Sequence, residues 1–578
     1  MSFIQLQRAP SRKDGRAFTY VNLAVSVRPP GSRHPHQERV YLGCLLEDGK
    51  TVAVSKRFAA GTGVTVSLEE LKSQAKDGKD VAAWLEGHCR RSVVVSSAPL
   101  AVTVSDLKAV ETVGQVHLLA SVAEDLKLPS CLEQAFGAQE GAALLTLAMH
   151  QTAESRPLYL AESWTEGAAL SKVARDFDYS SANLSRFMAR LGQDPRSLEE
   201  FFRRWTEARG RPSSLIFDTT SISTQAAQLS LAEWGYNRDG DSLPQVNLAL
   251  VSAREEGLPL FYRLIPGSVP DVTLLRNTVS LLQDFGVKEF TSILDRGFYS
   301  AGNVRSLLAE GLGFALGVPF SVQQARNLVR RHRNALGSVK RSFLFHGRLV
   351  RHVADRWQVD LGQGERREIR AHVFLDPEKR AETAASLERH VLEIEALANT
   401  EIAEKRIENL AEAREWLRQR AGMLYACFTL RRSAEGLRVA RRPHPIAMST
   451  ALKGFSVILT DNLDAQGADV LADYRARDAI EKLFDIFKNE NGQHRLRSGR
   501  DDITAGRVFL AFLALIIHQA LENRLRKADL LKRFTVAEVL AQMRKVKVVH
   551  TSSGQRLLLE ITKKQRELLK AMGVPMPS

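Results

Sequence analysis

Three acidic residues and a spaced set of polar side chains carry the chemistry this sequence can offer. Asp218 leaves an apolar segment in LIFDTTS, Asp295 leaves another in SILDRGF, and Glu481 stands in YRARDAIEKLFDIFK, residues 474–488. Around Glu481, the residues Tyr474, Arg477 and Lys488 complete a set with gaps of two, three and six. On one α-helix at about 100° per residue, these four and Asp485 fall within an arc of roughly 80°. Ile480, Leu483, Phe484 and Phe487 fill the neighbouring arc. The helix would press its apolar side onto a core and present a carboxylate flanked by cations. A solvated amphipathic face braced by i,i+4 ion pairs gives the same pattern; the two upstream aspartates turn it toward chemistry. Three such carboxylates form an oxygen-only ligand set for Mg²⁺ or Mn²⁺. Two ions about 3.5–4 Å apart can activate an attacking oxygen and stabilise the leaving oxygen of a phosphodiester. Arg477, Lys488 and Arg296, which follows Asp295, would then hold phosphates without reading bases.

The elements that must position these groups can be read from periodicity. LIFD, QVNLALVS (Gln245 to Ser252) and PLFYRLI (Pro259 to Ile265) predict three strands joined by short connections, which suits antiparallel pairing. A helix from Thr273 to Phe285 leads to SILD, then a helix near Asn303 to Glu310 and the strand GFALGVP. The order strand, strand, strand, helix, strand, helix, strand resembles an RNase H-like α/β core, and a right-handed crossover lays the fourth strand parallel to the first. Asp218 and Asp295 then become neighbours. The Glu481 helix closes this core and an apolar helix from Thr504 to Leu525 covers it. Between Val318 and about Gly454 the chain is too long for a connection and predicts an inserted α+β domain. That segment is basic at first, with Trp357 among the arginines.

Upstream, TYVNLAVSV and ERVYLGCL predict a hairpin whose loop holds Arg28, Arg33, His34 and His36. Those four could touch phosphate or form an ordinary solvated turn. Residues 65–90 and 117–210 are helical by spacing, with breaks near Ser97 to Pro99 and at Pro129. Within them, Leu170 to Gly192 has the outline of a helix-turn-helix whose second helix carries Asn183, Arg186 and Arg190; two helices packed through an ordinary turn read identically. The resulting organisation is a β-hairpin module (1–60), a helical domain carrying the helix-turn-helix outline (61–210), the core's first part (211–320), the insertion (321–453), the core's second part (454–526) and a tail (527–578).

Composition bounds the function. The chain has 578 residues, 44% hydrophobic and 25% charged, ordinary for a globular protein of several domains. Lys and Arg number 81 against 66 Asp and Glu, a net charge of +15 that favours polyanionic partners. The strongest apolar run, Val508 to Ile517, falls short of a membrane span, and the N-terminal residues lack a secretory h-region. A cytoplasmic, nucleoid-associated protein is therefore expected. Cys44, Cys89, Cys131 and Cys427 lack zinc-ligand spacing or a disulfide framework.

FDTTS, LDRGF and the tetrad Tyr474, Arg477, Glu481 and Lys488 resemble the DDE transposases of the insertion-sequence-four group. The loop GYNRDGDSLPQ (Gly235 to Gln245), the phrase EGLPL and the long gap before Glu481 look like its insertion-sequence-sixteen-thirty-four-like branch. The chain departs from the family pattern at GSVPD and at RLRSGR. The resemblance implies that Asp218, Asp295 and Glu481 are catalytic and hold two divalent ions. It implies cut-and-paste transposition: hydrolysis exposes a 3′-hydroxyl at each end of the element, which then attacks target DNA. It also implies double-stranded DNA partners (terminal inverted repeats and target) and a homodimer on paired ends, with Trp357 as a candidate for stacking on a flipped base; a buried core tryptophan is the commoner reading of the same residue. The same triad would serve a nuclease without strand transfer. An inactive DNA-binding regulator is a further alternative, against which the intact triad argues.

Overall fold

The computed structural model describes residues 2–10, 17–27, 36–46, 48–55, 57–58, 65–76, 80–86, 106–210, 212–226, 228–235, 237–269, 275–287, 289–362, 364–433 and 436–577. Arg28, Arg33, His34 and the break at 97–99 lie outside the described residues, as does the side chain of His36. The chain divides into two units, Met1–Lys108 with Thr551–Gln555, and Ala109–His550 with Arg556–Ser578.

In the first unit the expected hairpin is the middle of a five-stranded antiparallel meander. Its strands are Ser2–Pro10, Ala17–Val27, His36–Leu45, Thr51–Val54 and Thr65–Ser67, and a helix, Leu68–Lys76, follows. Val21, Leu23, Leu42 and Val52 line one face of the sheet with Leu71 and Leu85 against them. The module therefore extends past residue 60. A lone hairpin cannot bury enough apolar surface to stand by itself, whereas several strands under a helix can.

The second unit is built on one long mixed sheet. Its strands are β1 (Ser214–Thr224), β2 (Gln245–Ala253), β3 (Pro259–Pro266), β4 (Thr291–Leu294), β5 (Gly313–Gly317), β6 (Ser342–Phe345), β7 (Arg348–Gly362), β8 (Glu365–Leu375) and β9 (Phe455–Thr460). They lie in the order β6-β7-β8-β9-β5-β4-β1-β2-β3, and a tenth, two-residue strand, Arg495–Leu496, pairs in parallel with β1 off this path. β1, β2 and β3 pair antiparallel, while β4 is parallel to β1 and β5 to β4. These are the pairings that short connections and helical crossovers dictate.

Two expectations change here. β6, β7 and β8 belong to this sheet, because β8 pairs with β9 and β9 pairs antiparallel with β5. The self-contained part of the expected insertion thus narrows to the helices Pro377–Ala403 and Leu410–Ala421 with the hairpin Phe428–Ser433 and Gly436–Arg441, which share their own apolar cluster. Strand pairing at long range is invisible to local periodicity. The single helix expected over residues 474–488 is also three pieces: α2 (Gly467–Ala476), α3 (Asp478–Asp485) and a π-turn, Ile486–Glu490. At the joint, the Arg477 and Ile480 N–H groups each donate three residues back, to Tyr474 and Arg477.

The core is closed by α4 (Asp501–Lys527), whose Val508–Ile517 stretch is wholly buried. Among the described residues it is the one helix long and apolar enough to cross a membrane, and its most apolar stretch is 83% buried inside the protein. Phe509 and Phe512 meet Phe202 edge-on, with ring centroids 6.2 and 5.6 Å away. α1 (Ser181–Gly192) lies against α4 through two glycines. A Cβ on Gly506 would fall 2.2 Å from the Met188 carbonyl oxygen, and one on Gly192 1.9 Å from that of Asp502. Both neighbours are backbone and cannot rotate away. Gly506→Ala should therefore force the helices apart and cost about 1–3 kcal/mol, read as a lower melting temperature. Gly337→Ala, with nothing within 4 Å of the added carbon, should leave the melt unchanged; equal melts for both variants would refute the contact.

Candidate active site

Strand register brings the two aspartates together. In the parallel pair β4 and β1, Leu294 stands opposite Phe217, so Asp295 and Asp218 follow at one level on adjacent strands. β5 extends the level, with Leu316 opposite Leu294 and Gly317 next along. Gly317 makes room there: a Cβ on it would lie 2.5 Å from the Tyr474 hydroxyl and 3.0 Å from its ring. With that space open, the Tyr474 hydroxyl donates to Asp295 Oδ1 at 3.0 Å.

Arg477 gathers the acids. Its Nη1 lies 3.7 Å from Asp218 Oδ2 and 3.3 Å from Asp295 Oδ2, and its Nη2 lies 3.3 Å from Glu481 Oε1. Burial opposes the guanidinium's charge, but the surrounding acids, Asp295 foremost, outweigh it and raise its pKa. Burial, then the Asp295 charge, raises the Tyr474 phenol, which stays protonated and donates. Asp218 is the most enclosed acid, 4% exposed. Burial pushes its carboxyl up to about 6 against the pull of Arg238, the Thr219 N–H and Arg477.

The loop after β1 completes the site, and sequence reasoning gave its residues no role. Arg238 places Nη1 3.4 Å from Asp218 Oδ1, donates Nη2 to Thr219 Oγ1 at 2.7 Å and bonds the Thr219 carbonyl. Asn237 donates to Ser223 Oγ and the Arg238 N–H to Ser221 Oγ, so the buried hydroxyls of β1 find partners in this loop. Asp239 accepts from Lys488 Nζ at 2.6 Å. The available signal was the dense polar run GYNRDGDSLPQ, set between two strands.

The other predicted residues divide. Lys488 is 7% exposed and held by Asp239. The break at Arg477 and the π-turn carry it off the straight-helix arc, so it braces the loop instead of facing a phosphate. Trp357 is 2% exposed and meets Tyr299 edge-on at 6.2 Å, buried in the core with no face free for a base. Its alternation on the long strand β7 points it inward. Arg296 is exposed beside Asp295. On α1, Arg186 is exposed, whereas Arg190 pairs with Glu140 at 3.0 Å and lies over Phe187. Asn183 is turned back to the Asp178 carbonyl at 2.8 Å.

The donor set suits a hard divalent cation: carboxylate oxygens only, one of them enclosed so that burial disfavours its charge. Among the described residues no three acids close on one point tightly enough to hold an ion as they stand; instead all three reach the same guanidinium.

The family model described as the transposase DDE domain matches residues 209–517, a span holding every residue of this site. Among solved structures, the chain is similar to the piggyBac transposase synaptic complex with hairpin DNA, at 10% identity, covering 72% of this chain and 78% of that one with a TM-score of 0.31. No curated protein matches.

The enclosure of Asp218 has a cost that pH can report. With its carboxyl at about 6 in the fold against 3.8 for an ordinary one, the native state keeps a proton between those values that the unfolded chain releases. Stability therefore falls as pH rises through that window, by about 3 kcal/mol in full. Asp218→Asn should melt higher than the parent at pH 7.5 and lose that advantage at pH 4.5; a lower melt at pH 7.5 would mean the carboxylate is well compensated.

Proposed function

The chain belongs to the transposase DDE-domain family, and from that premise we propose that it moves an insertion sequence by cut-and-paste. In this reading it hydrolyses a phosphodiester at each end of the element, and the 3′-hydroxyl so exposed attacks target DNA. The observation that carries it is the convergence of Asp218, Asp295 and Glu481, from three separate segments, on one guanidinium.

DDE transposases use divalent metal ions; we take them here to be two Mg²⁺, or Mn²⁺, held by Asp218, Asp295 and Glu481. When bound, such ions activate the attacking oxygen and stabilise the leaving oxygen. The rest falls to the chain's own groups. Tyr474 donates to Asp295 Oδ1 and so fixes the orientation of that carboxylate. Arg238 fixes Asp218 and Thr219 together, which holds the enclosed carboxylate to one rotamer. Lys488, through Asp239, keeps that loop seated and acts as a positioning residue. Arg477 is a planar, always-charged fork suited to the non-bridging oxygens of a phosphate, and in this reading it passes from the carboxylates to the DNA backbone as cations take its place. Arg296 and Arg186, both exposed, touch backbone phosphates at the surface in this reading.

We read the strand order of β1 to β5 as an RNase H-like core and the chain as a member of the insertion-sequence-four group. Its partners are then terminal inverted repeats and target DNA, met by a homodimer on paired ends in the cytoplasm. A nuclease with the same core would nick and stop. Incubating pre-cleaved ends with plasmid and Mg²⁺ should yield joined products, and nicks alone would replace the transposase reading with the nuclease one.

Asp295→Ala and Glu481→Ala should each abolish end cleavage while end binding persists in a mobility-shift assay; cleavage surviving in either removes the assignment. Gly317→Ala, which drives a carbon into Tyr474, should slow cleavage roughly as much as Tyr474→Phe does, since both delete one hydrogen bond to a charged group, about 1.5–3 kcal/mol. Full activity in Gly317→Ala would show that the Tyr474 contact is dispensable.

A further inference from the structure

A cavity of about 610 Å³ lies away from the carboxylates, lined by α1, by residues 155–159 and by the loop 491–493 that leaves the Glu481 helix. Three arginines line it, Arg156, Arg497 and Arg507, and none of its lining residues is an acid. Arg156 is answered from outside by Glu154 at 3.5 Å. Arg497 is exposed and Arg507 half-buried, and among the described residues neither has an ion pair or a hydrogen bond. Arg507 stands on the core helix α4, where burial and then the charge of Arg497 push its pKa down. A cation kept there without a partner destabilises the fold unless something brings opposite charge.

A second observation points the same way. His150 lines the cavity at 1% exposure, and neither ring nitrogen has a partner. Burial, then the charge of Arg156, holds it neutral, with its pKa down at about 4. A neutral imidazole keeps one N–H to donate. Buried polar atoms are normally satisfied, whereas this ring meets Trp164 edge-on, with centroids 5.5 Å apart, and keeps its N–H unpaired. Ser181, in the first turn of α1, also reaches the cavity, and Tyr159, 62% exposed, lies on its wall.

We propose that this cavity grips a phosphate group of a DNA strand, with Arg507 and Arg497 supplying the counter-charge, His150 an N–H donor, and Tyr159 a surface on which the adjoining base stacks. The proposal rests on the reading of the chain as a DNA-acting enzyme and adds a second anchor on the loop that follows the catalytic helix. The strand held there is tied to the segment carrying Glu481, so the grip positions DNA without taking part in the chemistry.

Arg507→Met keeps the side chain's bulk and removes its charge. Its melting temperature should equal or exceed the parent's, while affinity for an oligonucleotide duplex of the element's end falls by roughly tenfold and the slope of log K against log salt drops by about one. Arg497→Gln, at an exposed position, should weaken binding in the same direction without disturbing the fold. Inorganic phosphate should raise the parent's melting temperature and not that of Arg507→Met. If the parent fails to bind DNA at all, the functional reading falls and this site with it. If the parent binds and both variants bind equally well with an unchanged salt slope, the site alone is overturned. A lower melt with intact DNA affinity would make Arg507 structural, and a phosphate-dependent melt with unaltered DNA binding would make the cavity a free-anion site; either result defeats the proposal.

Discussion

Three carboxylates crowded beside the inner strands β1 and β4 repel one another, and the Arg477 guanidinium is what allows them to remain there. At contacts of 3.3–3.7 Å, each attraction is of the order of 4 kcal/mol at the effective dielectric of a protein, comparable to the repulsion it offsets. A lysine could not substitute. Only a flat fork with several fixed donors can face acids arriving from the middle of one strand, the end of its neighbour and a helix at once. Even so the cluster is incomplete: Arg477 Nε is buried without a partner, and burial outweighs the pull of Arg238 and Arg477 on Asp218. A site with unmet charge and unmet donors is one whose lowest energy awaits another component.

The surrounding structure divides this site into a rigid floor and an adjustable wall. Asp218 and Asp295 are set by strand register, which cannot drift without moving the whole sheet, and Gly317 on the third strand holds the space for Tyr474. Glu481 is different. It lies on a short helix bounded by a tightened joint at Arg477 and a π-turn at Ile486–Glu490, and its side chain is 57% exposed against 6% and 28% for the two aspartates. π-turns within helices recur at functional positions. The most exposed carboxylate is thus the one carried on a short helix with an irregular turn at each end.

How much of this the sequence disclosed follows the range of each interaction. The adjacency of Asp218 and Asp295 was legible because strand periodicity and crossover handedness act locally and leave few arrangements. The covering helix α4 was legible from its unbroken apolar run. What escaped was whatever depended on distant pairing or on departures from ideal geometry. Treating residues 474–488 as one straight helix put Lys488 beside Glu481, whereas two irregular turns send it to Asp239. Trp357, in a basic segment, read either as a stacking candidate or as an ordinary buried tryptophan, because nothing local reveals that β7 and β8 join the main sheet. The loop 237–241 was quoted as a motif, but its service to the hydroxyls of β1 and to Asp218 becomes visible only when the partner strand is in place.

α4 accounts for the cohesion of the catalytic unit. Its middle fills the core, its glycine face admits α1 at backbone contact, and Arg507, one residue beyond Gly506, opens onto the cavity beside the loop 491–493. An apolar helix of this length would ordinarily exclude a charge at such a place, and Met or Leu there would pack without penalty. That a cation stands at the junction of the core helix, α1 and the catalytic loop, while the enclosed Asp218 stands at the centre of the sheet, means that destabilising charges of opposite sign sit at two points of one rigid body. Each has a natural complement, cations for the acid and phosphate for the arginine. A metal-dependent enzyme working on DNA brings both.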